Sequence, residues 1–244
     1  RLSWNNFVYR IEDADDKISQ VWAPIRHLNS VMNDNKVRKQ YEKSLNLLTS
    51  YYGKIGQNKK LFSQYEKFYD ENKRKLNSNQ KKLLLDILKG FKLSGVHLDA
   101  KKRKSFRDCQ EKLARLEAKF EQNVLDSTNA WSLNFKTKKM LEGVPLNALE
   151  VAAEIAIFRK EIGYTLTLDQ PCYMAVMTFA KNQNLRKKIY LAYASRASNK
   201  FPIKGNWDNT KIIEEILSLR QIMSKILGYK NYSEYSLATK MAKS

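Results

Sequence analysis

Proline and glycine are both scarce in this 244-residue chain, at 4 and 8 residues. Folds built on many tight turns, such as β-sandwiches and barrels, need more of both, so the scarcity argues for helices. Cysteine is nearly absent as well. Cys109 and Cys172 lie far apart, and Cys109 falls on the apolar side of a predicted helix. A small buried thiol in a reducing compartment is the expected reading. Histidine is limited to His27 and His97. Neither has a His or Glu at helical spacing, and HExxH does not occur, so no zinc-hydrolase ligand set is visible. Also missing are GxSxG, G-x-G-x-x-G and a phosphate loop, and any apolar run of about 18 residues that could span a membrane.

What the chain does have is apolar content and positive charge. Hydrophobic residues make up 43%, enough for a real core, and the formal charge is +20. The 45 basic residues divide into 33 Lys and 12 Arg, beside 20 Asn. That surplus lacks the guanidinium forks that favour phosphates and bases. The basic residues are spread among Asp and Glu, with dense runs only at ENKRK (71–75) and KKRK (101–104). Solvated helix faces explain such a pattern better than a nucleic-acid footprint.

Periodicity supplies the elements. Apolar positions Ile11, Ala14, Ile18, Val21, Ile25, Leu28 and Met32 alternate by three and four, which predicts one long helix. Pro24 inside it predicts a kink or break near Val21–Ala23. Val37, Tyr41, Leu45, Leu48 and Tyr52 mark a second helix, closed by Gly53. Leu61, Tyr65 and Phe68 mark a third. NSNQ at 77–80 caps a fourth, with Leu84, Leu85, Ile87, Leu88 and Phe91 on its apolar side. Gly95 breaks the chain, and Asp99 opens the longest segment: Phe106, Cys109, Leu113, Leu116, Phe120, Val124 and Ser127, as far as Trp131. At 1.5 Å per residue it would be roughly 45 Å long. A turn and a helix follow from Leu141. GYTLTLDQP, between Gly163 and Pro171, alternates with period two and predicts a strand, whose best internal partner is Ser132–Phe135. Helices are expected at 173–181, 184–195 and 209–227, and again from Tyr232, capped by Asn231 and carrying Tyr235, Leu237 and Met241. The fold class is mainly α, with a short β element near 164–168.

No catalytic set emerges. Glu214–Glu215 and Asp15–Asp16 are adjacent in sequence and so do not share a helix face. YEKFYDENKRK interleaves aromatic and basic residues as a single-strand platform would, but its spacing fits a helix core better. No catalytic, metal or cofactor-binding residue is assigned within 1–244.

Seven strings, in order, carry a resemblance. WNNFVYRIEDADDKISQVWAPIRHLNSV contains a W-x-P-x-x-H-L pattern at Trp22, Pro24, His27 and Leu28. YGKIGQNKKLF, FKLSGVHL, LEAKFEQNVLDSTNAW, LTLDQPCYMAVMTFA, LRKKIYLAYASRAS and DNTKIIEEILSLRQIMSKILGYKNYSEYSLATKMA follow it. Together they cover nearly the whole chain and resemble the thimet-type zinc oligopeptidases of peptidase family M3, especially the bacterial oligopeptidase A branch. The resemblance implies a helical N-terminal domain at 1–162 and the beginning of a catalytic domain at 163–244, truncated before the zinc motif. Long antiparallel helices would then form one wall of a deep channel that admits short peptides. Zinc and its ligands would lie beyond residue 244, leaving this chain inactive alone. The implied setting is cytoplasmic. The implied partners are short peptides and the remaining catalytic portion, with no nucleic acid and no membrane. Apolar surface uncovered by that missing portion is expected within Leu166–Ser244. The competing reading is a stand-alone basic helical protein that binds nucleic acid or acidic partners.

Overall fold

A computed structural model describes residues 2–32 and 34–242. Among them the chain is mainly helical, with ten α-helices and one small two-stranded sheet. It divides into two compact units, Arg1–Ala118 with Glu215–Ser244, and Lys119–Glu214.

The first unit opens with a π-helical turn, Trp4–Val8. Ser3 and Asn6 cap it reciprocally: the Asn6 N–H donates to Ser3 Oγ and the Ser3 N–H donates to Asn6 Oδ1. The turn runs directly into α1 (Tyr9–Val31). No break occurs near Val21–Ala23. Pro24 sits inside a continuous helix, and Gln20, Ala23 and Pro24 are all solvent-exposed, so the carbonyl that proline leaves unpaired can turn to water. Helix α2 (Asn35–Gly56) is capped by Asp34 Oδ1, which accepts from the Lys36 and Val37 N–H groups. Gly53 does not close it. A Cβ there would meet nothing nearer than 3.7 Å, so the position is ordinary helix and the chain passes through to Gly56.

Helices α3 (Lys59–Asn72) and α4 (Ser78–Leu93) follow their predicted stripes. Asn77 and Gln80 form a full capping box on α4. Tyr65 and Phe68 of α3 meet Leu84 and Phe91 of α4 in a core that Phe7 and Val8 complete. Phe7 lies 4.6 Å from the Tyr65 ring and 5.7 Å from Phe68. The aromatics of YEKFYDENKRK are therefore core, not a stacking platform. Gly95, at φ +80°, ends this layer.

Helix α5 (Ala100–Ala130) is a single 31-residue helix begun by Asp99, whose Oδ1 accepts from the Lys102 N–H. In the first unit its Phe106 packs with Leu98 and with Met223 of α9 (Thr210–Ile226). Burying such a phenylalanine contributes about 1.5–3 kcal/mol. Helix α10 (Tyr232–Leu237) is capped by Asn231, as expected, but lasts only six residues. Tyr235 ties it down by donating to the Leu93 carbonyl. Met241 lies beyond it and is fully exposed, so the apolar side expected there stops at Leu237.

In the second unit β1 (Ser132–Phe135) pairs antiparallel with β2 (Tyr164–Thr167) in the register Ser132↔Thr167 to Phe135↔Tyr164. This is the partner that sequence nominated. Helix α6 (Leu146–Phe158) lies between the strands in sequence; α7 (Gln170–Phe179) and α8 (Gln183–Ala194) follow. Trp131, Leu149, Ala152, Leu166, Leu168, Val176, Leu185 and Ile189 make one core. Ser127 Oγ accepts from the Ala197 N–H at 3.1 Å and pins the chain after α8 to α5.

Candidate functional site

A hollow with a largely apolar lining runs along α1 and α2 in the first unit. Ile18 and Trp22, four apart on α1, and Leu45 and Leu48, three apart on α2, line the same hollow, and Trp22 stacks on Tyr41 with ring centroids 5.1 Å apart and planes 13° apart. Two depressions share Ile18, Trp22 and Leu48. One, of about 350 Å³, has a polar side made by Ser19, Thr49, Tyr52, Ser94 and Gln110. The other, of about 480 Å³, is apolar, with Val21, Ile25 and Leu47 as walls and Lys17 and Ser44 at its edge. Ile18, Val21 and Ile25 of the α1 stripe therefore line an open groove, and no described residue of α1 is fully buried.

The electrostatics of the groove come from the acidic start of α1. Burial, and then the hydrogen bond to Asp15 with its charge, push the Tyr52 phenol up to about 12. Burial, and then the charge of Asp15, raise the Glu12 carboxyl. These groups hold protons more tightly than usual. Gln110 Oε1, in the same hollow as Tyr52, is buried with no donor among the described residues. Ser94 and Gln110 carried no signal in the sequence, because each lies off its element's apolar stripe and joins the groove only through packing.

The residues weighed for chemistry do not converge. His27 and His97 are both exposed. His97 borders a separate 140 Å³ hollow with Lys92, Leu227 and Tyr229. Cys109 is half-buried against the Phe106 cluster, and Cys172 Sγ accepts from the Thr167 N–H at 3.4 Å. Both thiols are free, and burial raises both above their ordinary value, the reverse of an activated nucleophile. Asp16 is engaged by Gln20 and Glu215 by Lys112. Among the described residues no group of three or more His, Cys, Asp or Glu is placed to hold a metal ion.

Similarity to known proteins supplies what geometry does not. Residues 1–103 match the family described as Neurolysin/Thimet oligopeptidase, N-terminal domain, and residues 176–244 match Peptidase family M3. Across these two regions the chain is similar to peptidase family M3 and its N-terminal domain. It is 40% identical to Oligopeptidase A of Salmonella typhimurium over 98% of its own length and 35% of that relative's. It is 39% identical to Oligopeptidase A of Escherichia coli over the same shares, 98% and 35%. Saccharolysin of Saccharomyces cerevisiae is more distant, at 25% identity over 98% of this chain and 33% of its own. The chain thus spans about one third of the length of the M3 relatives it matches. The W-x-P-x-x-H-L string that pointed to the family lies in the first of the two matched regions, and its Trp22 forms the shared wall of the groove.

Proposed function

We propose that this chain is the N-terminal part of a zinc oligopeptidase that hydrolyses short peptides inside a channel, and that this part supplies wall rather than chemistry. The observation that carries the reading is the 40% identity to Oligopeptidase A, held over 98% of the chain yet covering only 35% of the relative. In this reading residues 1–162 form the helical N-terminal domain and 163–244 open the catalytic domain. The α1–α2 groove offers an apolar surface of the kind such a wall presents to extended peptides.

Zinc does not fit the described residues. Their histidines stand apart from any carboxylate or thiol cluster, and no ligand trio forms. In this reading the metal is held by the rest of the polypeptide, and no reaction step is assigned to this chain. Its partners are that catalytic portion and, through it, short peptides. The setting is cytoplasmic, without nucleic acid or membrane. No helix among the described residues is long and apolar enough to cross a bilayer. Several lysines are matched locally by carboxylates, as in Lys17–Asp13, Lys82–Asp86 and Lys104–Asp108, which supports solvated faces over a nucleic-acid surface.

Metal analysis and a quenched-fluorescence peptide assay on the purified chain and on the full-length polypeptide test the reading. The long form should bind zinc and cleave short peptides, with chelator-sensitive turnover, and the 244-residue chain should do neither. Stoichiometric zinc or turnover in the short chain would overturn its assignment as an inert wall. Neither property in the long form would overturn the peptidase reading.

A further inference from the structure

Helix α6 has an unusual composition for its surroundings. LNALEVAAEIAIF carries only Asn147, Glu150 and Glu154 as polar residues. A helix that is apolar nearly all round belongs inside a larger body. One side meets that rule, with Leu149, Ala152 and Ala156 buried. The rest does not. Ile157 is 75% exposed, Phe158 88% and Ile162 76%, and Leu146 and Val151 of the same helix are also open. Surface apolar residues scattered singly are ordinary; several gathered on one short stretch mark an interaction site. No large apolar side chain between 166 and 237 is as exposed as Ile157, Phe158 or Ile162; Met241, further on, is fully exposed but stands alone.

The stretch is also held in place. Helix α6 ends in a left-handed turn at Lys160, φ +60°, where the Glu161 N–H donates to the Ala156 carbonyl at 2.8 Å and the Lys160 N–H to the Ile157 carbonyl at 3.0 Å. Arg159 Nη1 donates to Ser132 Oγ at 2.9 Å, and the Thr165 hydroxyl donates to Glu161 Oε2 at 2.5 Å. Five residues that would otherwise be a loose connection therefore present Phe158 and Ile162 in a fixed arrangement, rimmed by Arg159, Lys160 and Glu161. An apolar centre with a charged rim is the anatomy of a protein interface.

We propose that the turn Ile157–Ile162, with the outer side of α6, is a docking knob for the catalytic remainder of the same polypeptide. The inference rests on the reading of this chain as part of a longer M3 peptidase. Two findings choose the occupant. The M3 relatives are about three times as long as this chain, so the polypeptide has ample further surface to place somewhere. The match to Peptidase family M3 begins at residue 176, inside the same compact unit, Lys119–Glu214, that carries the knob.

Hydroxyl-radical footprinting of side chains tests this directly, on the 244-residue chain and on the full-length polypeptide. Oxidation of Phe158 should be fast in the short chain and about tenfold slower in the long one, because the centre of an interface excludes water. Equal rates overturn the proposal. Protection in the short chain that disappears on dilution also overturns it, because a second copy would then be the occupant. Phe158→Ser gives an independent readout. It should lower the Tm of the long polypeptide and leave that of the short chain unchanged, since the ring touches little within the short chain; equal shifts count against docking. Peptide cleavage by the long form is scored separately. Cleavage with an unprotected Phe158 sinks the knob and spares the peptidase reading, and protection without cleavage does the reverse.

Discussion

Asn123 of α5 donates its side-chain N–H to the Oδ1 of Asn209, 2.8 Å away in space and 86 residues away in the chain. Both side chains are buried. Asn209 Nδ2 in turn donates to the Phe120 carbonyl at 3.1 Å, and the Asn209 N–H donates to the Ala197 carbonyl. One asparagine therefore ties the chain at the start of α9 to the C-terminal third of α5.

Replacing that asparagine should be costly. Asn209→Ala leaves the Asn123 amide and the Phe120 carbonyl buried without these partners, which costs about 2–4 kcal/mol in all. Urea unfolding would register it as a lower midpoint at an unchanged slope. A loss below about 0.5 kcal/mol would mean that the asparagine pair is not holding the segment.

Two glycines should respond oppositely to the same change. Gly163 sits at φ +96°, and a Cβ there would lie 2.1 Å from the Phe135 carbonyl oxygen. Gly163→Ala should destabilise by more than about 2 kcal/mol and loosen the β1–β2 pair. Gly90 lies inside α4 with nothing within 4 Å of a new Cβ, so Gly90→Ala should stabilise by about 0.5–1 kcal/mol. Thermal melts of the two variants beside the parent would show the contrast.

The Tyr52 phenol should titrate late. Its folded value is pushed up to about 12 from an ordinary value of 10.0. A raised value means the folded state prefers the protonated form. That contribution to stability is fully present below the unfolded value and is lost as pH rises through the folded one, between about 10 and 12. Phenolate absorbance of the parent minus that of Tyr52→Phe should show one step near 12. A step near 10 would show that Asp15 and burial do not act on this hydroxyl.

The elements most legible in the sequence were those whose signals are local. Asn77 with Gln80, Asp99 and Gly95 act within one turn of themselves, and each begins or ends an element as its chemistry dictates. The strand at Tyr164–Thr167 was legible for the same reason, being alternation between Gly163 and Pro171. Gly53 misled because glycine permits a stop without requiring one; only its helical backbone, absent from the sequence, decides. Pro24 does not break α1, because a helix tolerates proline where solvent can satisfy the freed carbonyl, which depends on tertiary exposure. Most of the α1–α2 groove could be read from its stripes. Its polar side, Ser94 and Gln110, could not, and neither could the Asn123–Asn209 pair, because these contacts bring together residues far apart in the chain.

The pairing of β1 with β2 also sets an order of assembly. Phe135 and Tyr164 face each other at the inner end of the ladder, so even its shortest closure spans roughly thirty residues, an entropic cost that a disordered chain meets poorly. Helix α6 lies within that loop and is made largely of strong helix formers. Once coiled, it shortens the span to be closed and presents Leu149 and Ala152 as a surface for Leu166 to land on. The sheet should therefore form together with α6 or after it, and a substitution that unwinds α6 should slow the appearance of the sheet in stopped-flow refolding.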